Sequence, residues 1–237
     1  MRLRTSRGKR PEASVRAVQS ARNERELTMK LMHVDSSPKG EWSNSRALSR
    51  ELVELLRAGL PELEVDYLDL AASPPGHVTG DFAIATYTPE ADRTPAMKET
   101  LALSDGYCAR LLAADMLVFA MPMYNGSIPS IFKAFIDQVV RAEITYKAID
   151  GQYVGQLGDK KVAFITSRGV DLRPGTPWAH MDALTPSLRS AFGFIGVTDP
   201  QFVDAQPMQF ADVEARAEGL IRAHQDVAAL AAKWLAV

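Results

Sequence analysis

The chain has one cysteine, Cys108, in 237 residues, which excludes an intrachain disulfide and any multi-cysteine metal or iron–sulfur site. Cys108 sits in a helical pattern, so a buried, inert thiol is expected. The four histidines, His33, His77, His180 and His224, are scattered without the spacing of a zinc site. No run approaches the roughly 20 consecutive apolar residues of a membrane span, so no membrane partner is expected. G-x-G-x-x-G and G-x-x-x-x-G-K-[ST] are both missing, which argues against a Rossmann dinucleotide site and a P-loop. No G-x-S-x-G elbow supports a serine hydrolase. No internal repeat or low-complexity tract follows residue 28.

What is present is an ordinary globular balance, 46% hydrophobic and 24% charged, enough to build a sizeable core. The net charge of −2 is unevenly spread. Residues 1–28 carry eight Lys and Arg against Glu12, Glu24 and Glu26, a net +5 that leaves −7 for the rest. A −7 body attracts nucleic acid poorly, so no nucleic-acid partner is expected. The first 28 residues lack a signal peptide's apolar region, and three glutamates count against a mitochondrial presequence. They read as a disordered extension, with Met29 an alternative start, before one domain over 29–237 in a reducing cytoplasm.

Strand-length apolar runs alternate with helical patterns along that domain. Lys30–Asp35, Glu64–Leu70, Met116–Met121, Lys161–Thr166 and a short run near 201–205 read as strands. Residues 44–58, 96–113, 129–142, about 181–193 and about 211–235 read as helices, Pro129 suiting the first turn of its helix. Strands buried on both faces imply a parallel sheet covered by helices on both sides. Five strands suit an α/β, flavodoxin-like three-layer αβα sandwich, whose ligands bind beyond the strands' carboxyl ends. Periodicity does not give the strand order. Two connections, 71–95 and 143–159, exceed ordinary length, as loops covering a ligand or a subunit interface do.

Three segments lie at strand ends. Ser36–Arg46 places Ser37, Ser43, Asn44 and Ser45 between the first strand and helix, where hydroxyls and a helix N-terminus of roughly half a positive charge suit a phosphate. Plain N-capping by Ser43 or Ser45 is the simpler reading of those serines. Met121–Ser130 holds Met123, Tyr124, Asn125 and Gly126, a path able to lie against a flat heterocycle or to be an ordinary Asn-Gly turn. Thr166–Val170 offers Ser167, Arg168, Gly169 and Val170, with Arg168 either a fixed positive charge near a ligand or a surface ion pair. Asp66 and Asp69 read as solvated strand positions, and Asp137 with Arg141 as an i,i+4 pair.

The runs S-S-P…S-N-S, P-M-Y-N-x-x-I-P-S-x-x-K-x-F-I-D-x-V-x-R-A, K-K-x-x-x-I-T-S-R-G and G-F-I-G-V-T-D resemble the FMN-dependent NADH-azoreductases, also described as quinone reductases. The resemblance covers about residues 30–235. It implies that Ser37 and Ser43-Asn44-Ser45 hold the FMN phosphate, and that Met123, Tyr124, Asn125 and Gly126 line the isoalloxazine. It further implies Ser167, Arg168, Gly169 and Val170 on the pyrimidine side, with no side chain needed as acid or base. NADH or NADPH is the implied co-substrate in a two-electron ping-pong reaction, with a quinone, azo or nitroaromatic acceptor and a homodimer carrying its sites at the interface. An NADPH-dependent FMN reductase or a flavodoxin-type carrier is the alternative. Departures occur at Gly126, where the family commonly has Phe, at Val170 in place of glycine, and at Ala148 in place of an aromatic. They imply a differently shaped acceptor pocket.

Overall fold

The computed structural model describes residues 28–236, so the basic extension expected over 1–28 lies outside it apart from its last residue. The first half of the chain forms β1 (Lys30–Asp35), α1 (Asn44–Gly59), β2 (Glu64–Asp69), α2 (Gly80–Tyr87), α3 (Pro95–Ala113) and β3 (Met116–Pro122). The second half forms α4 (Ser130–Val139), β4 (Tyr146–Ile149), β5 (Gln152–Gly155), β6 (Lys161–Ser167), α5 (Leu184–Phe194), β7 (Gln201–Ala205) and α6 (Val213–Leu235). Five strands make a parallel sheet in the order β2-β1-β3-β6-β7. Strand order reverses between β1 and β3, the place where a doubly wound sheet opens a crevice at its carboxyl edge.

The two-residue period of the strands builds two cores. On β3, Leu117, Phe119 and Met121 face one side, while Met116, Val118 and Ala120 face the other. The first side packs on Tyr107 and Leu111 of α3, Phe132 and Phe135 of α4, and Leu188 and Phe192 of α5. The second packs on Leu48, Leu52 and Leu56 of α1 and on Val227, Leu230 and Trp234 of α6. These three leucines recur at four-residue spacing, so one stripe of that helix is buried, while Leu55 between them faces outward. The result is the three-layer αβα sandwich read from the sequence.

Several local expectations are corrected. The helix expected over 129–142 runs Ser130–Val139, and Pro129 is its N-cap residue, outside the first turn. Asp137 pairs with Lys133 one turn earlier, whereas Arg141, beyond the helix end, is buried against Asp105 at 3.0 Å. Asp66 and Asp69 are not simply solvated, because arginines on neighbouring helices reach the edge strand. Asp66 accepts two hydrogen bonds from Arg110, each at 2.7 Å, and Asp69 accepts two from Arg46. The connection 71–95 contains α2, and 143–159 contains the antiparallel hairpin β4–β5.

His33 is buried and shares a 2.9 Å hydrogen bond with the Ser49 hydroxyl, the satisfied histidine expected on that strand. Cys108 is fully buried, and burial pushes its thiol up to about 11. Among the described residues no helix is long and apolar enough to cross a membrane.

Candidate functional site

The connections leaving β1, β3, β6 and β7 emerge on the same edge of the sheet and are tied to one another by main-chain hydrogen bonds. The Met123 N–H donates to the Ser167 carbonyl at 2.8 Å, and the Arg168 N–H donates to the Ala205 carbonyl at 2.9 Å. Both Gln209 and Phe210 N–H groups donate to the Gly169 carbonyl, at 3.0 and 2.9 Å. Tyr124 and Ser127 exchange two hydrogen bonds of 3.0 Å across Asn125 and Gly126, whose φ angles are +51° and +75°. Two successive left-handed residues are what Asn-Gly supplies at low steric cost, so the sequence itself sets this turn.

These connections enclose two adjoining cavities, of about 390 and 310 Å³. Ser43, Asn44, Met123, Tyr124, Asn125, Ser167, Arg168 and Gly169 line the larger one. Gly126 and Val170 line the smaller, which shares Met123, Asn125, Gly169 and Phe210 with it. Ser37 and Ser45 lie beneath, buried and outside both linings. Ser45 shares a 3.1 Å hydrogen bond with Ser43, whose hydroxyl caps α1 by accepting from the Arg46 N–H at 3.4 Å.

The larger cavity fits a flavin mononucleotide by the chemistry of its donors. At one end is the first turn of α1, where helix geometry leaves N–H groups without intrahelical acceptors and the dipole favours an anion. Lys39 is on the rim, and no carboxylate is among the described residues that line the cavity. At the other end the walls include Asn125, at the start of the Asn125–Gly126 turn, and Gly169, where the wall is main chain without a side chain. A Cβ at Gly169 would sit 3.3 Å from the Phe210 ring. At Gly126 it would sit 3.0 Å from the Met181 carbonyl oxygen, on a left-handed backbone. The aromatic that the family commonly carries at 126 is therefore disfavoured here, and Trp178 and Met181 stand in that part of the wall instead.

Arg168 is neither the fixed charge near a ligand nor the surface ion pair that its sequence position allows, because its ion pairs are buried. Its guanidinium is buried, donating to Asp182 at 2.8 Å, to Thr185 and Thr166 hydroxyls, and lying 2.9 Å from Asp204. Two carboxylates surround one cation, so its charge is spent inside the protein. Burial acts against the Asp182 carboxylate, yet the Thr185 hydrogen bonds and Arg168 hold it below the usual range. For Asp204 burial dominates and pushes the carboxyl up, with Arg168 and Thr166 opposing it only in part.

The sign of that shift gives a test. A carboxyl raised on folding binds its proton more tightly in the native state. Its favourable contribution is present below the unfolded pKa and lost as pH rises through the folded one. Asp204→Asn, which removes the ionisation, is expected to raise the melting temperature relative to the parent at pH 8. The difference should shrink as pH falls towards about 4, the ordinary aspartate value. A variant less stable than the parent at pH 8 would contradict the shift.

Sequence reasoning missed Lys39, Trp42, Met208, Gln209 and Phe210, which also line the larger cavity. Trp42 and Phe210 are 90% and 78% exposed, yet Phe210 is fixed by its backbone bond to Gly169. The available signal was positional: residues 206–210 follow the β7 strand just as the recognised loops follow β1, β3 and β6.

A model of the flavodoxin-like fold matches residues 29–230. The FMN-dependent NADH:quinone oxidoreductase of Nostoc punctiforme is 41% identical over 205 residues, which cover 86% of this chain and 98% of that protein. The enzyme of the same name from Xanthomonas campestris is 37% identical, with 85% and 99% covered. Among solved structures, an azoreductase from Bacillus anthracis superimposes with a TM-score of 0.79 at 26% identity, covering 86% of this chain and 99% of that one.

Proposed function

This chain belongs to the flavodoxin-like fold family, and from that premise we propose that it is an FMN-dependent NAD(P)H oxidoreductase reducing quinones and azo compounds. The observation that carries the reading is the carboxylate-free cavity running from the α1 N-terminus to the Asn125–Gly126 turn. When bound there, FMN supplies two-electron transfer from NADH or NADPH to the acceptor, one substrate leaving before the other enters the same site.

The protein's part is binding and placement. The Asn44 N–H and the Ser43 hydroxyl hold the phosphate, while Ser45 and Ser37, buried below, support that loop from beneath. Met123, Tyr124, Asn125 and Gly126 line one side of the ring system, and Ser167, Arg168, Gly169 and Val170 line the pyrimidine side. Arg168 does this through its main chain, since its side chain faces inward. No side chain in the cavity is required as a proton donor, because the flavin carries the chemistry. Val170, Trp178, Met181 and Phe210 set the shape of the acceptor compartment, with nitroaromatics as further flat acceptors.

A second copy of the chain completing the cleft is part of this reading. Exposed Ile84 and Tyr87 on α2, and Tyr153 with Phe194 beside the hairpin, support a covered surface. The purified protein is expected to be yellow, to have the mass of a dimer in solution, and to bleach on anaerobic addition of NADH or NADPH. Steady NAD(P)H oxidation with a quinone distinguishes an enzyme from an electron carrier, which would show almost none. A colourless protein that gains no flavin spectrum with added FMN sinks the proposal.

A further inference from the structure

Beneath the α1 N-terminus is a buried polar network that the proposed reaction does not use. Arg46, third residue of α1, is only 8% exposed. Its Nε and one terminal nitrogen both donate to the Ser37 carbonyl oxygen, at 2.9 and 2.7 Å. The two terminal nitrogens also donate to the two oxygens of Asp69, at 2.8 and 2.7 Å. One of them donates in addition to the Tyr67 hydroxyl at 3.1 Å. A guanidinium has five N–H donors, and these contacts occupy all of them. None is left for a ligand.

Tyr67 continues the network by donating to Asp35 at 2.9 Å, and Ser49 donates to the other Asp35 oxygen at 3.1 Å. Arg46 itself stands 3.5 Å from Asp35. Two carboxylates, one almost fully buried, therefore lie under the loop that is to receive a phosphate, with one guanidinium between them. Hydrogen bonding to Arg46 holds the Asp69 carboxyl below its usual range, so that group stays ionised.

Resting on the FMN reading above, we propose that Arg46 is the positioning residue of the phosphate loop. Its fork fixes the Ser37 carbonyl against Asp69, and its charge offsets the Asp35 and Asp69 carboxylates that would otherwise repel a phosphate monoester. It acts through Ser37 and through the local field, without touching the ligand. Lysine keeps the charge but, as a compact ammonium with three donors, cannot make the planar fork. Glutamine removes the charge as well. The two substitutions therefore separate geometry from electrostatics.

The test compares FMN with riboflavin, which has the same ring system without the phosphate, on the full chain freed of flavin and followed by flavin fluorescence. Arg46→Gln is expected to weaken FMN about ten- to a hundredfold, the range of a charge-assisted interaction. Riboflavin affinity should change much less, and rising salt should reduce the difference between the variant and the parent. Arg46→Lys is expected to lose FMN selectively but less severely, and it decides the matter if the glutamine variant does not fold. Equal losses for both flavins would make Arg46 merely structural and overturn the proposal. So would full FMN affinity in the lysine variant. A parent protein that binds neither flavin is a different result: it removes the FMN reading itself, and this role with it.

Discussion

Replacing Arg168 with leucine is expected to lower stability by about 3 kcal/mol, the lower end of the range for breaking a buried ion pair. The lower end applies because the side chains of Asp182 and Asp204 remain about a fifth exposed, at 18% and 24%. Both carboxylates lose their cation, and the Thr166 and Thr185 hydroxyls lose an aligned donor. In a domain of this size that cost lowers the melting temperature by roughly 6–12 °C. The effect reaches function because Asp182 also caps α5, accepting from the Leu184 and Thr185 N–H groups at 3.0 and 2.9 Å. Freed of Arg168, that end of α5 and the Ser167–Val170 loop lose a shared anchor. Adding Asp182→Asn and Asp204→Asn to the leucine variant should recover part of the loss, since fewer carboxylates then need a partner. A leucine variant that melts within 2 °C of the parent would contradict the burial of that charge.

Phe119→Ala is expected to cost about 3–5 kcal/mol, as for other fully buried aromatics cut back to alanine. Phe119 is the hub of the larger core. Its ring centroid lies 5.6 Å from Phe132, 5.4 Å from Phe164 and 4.9 Å from Phe192, so three neighbouring elements lose contact together. Aromatic pairs add about 0.5–1.5 kcal/mol each beyond area burial, which keeps the effect towards the upper end. Phe119→Leu should cost much less, because it refills most of the volume. Urea unfolding of the two variants measures the contrast, and equal midpoints would rule out a hub role. Because β3 runs directly into the Met123–Gly126 turn, the alanine variant should also hold flavin less firmly.

The layers were legible because they depend on period alone. The run Met116–Met121 is apolar at every position, which a strand tolerates only when both faces are covered, and β3 is buried throughout. Lys30–Asp35 coincides with β1, since Asp35 and the serines after it mark the change to loop chemistry. The Asn125–Gly126 turn was equally readable from its two residues. Arg168 was not, because its partners come from a different loop and a different strand, and sequence distance hides that meeting. The role of Arg46 is hidden in the sequence for the same reason: Asp69 and Tyr67 reach it across the sheet edge. Trp42 and Phe210 belong to no periodic pattern, and an exposed aromatic becomes informative only once a cavity is seen beside it.

The cavity is walled in two materials, which differ in how freely they vary. Near the turn at Gly126 and along Gly169 the wall is largely backbone, fixed by the fold. Around the mouth it is made of side chains such as Trp42, Trp178 and Phe210, each more than half exposed. Substitutions at exposed positions usually change stability by no more than about 0.5 kcal/mol. The rim can therefore vary at little cost in stability, whereas the backbone part of the wall changes only if the fold itself changes.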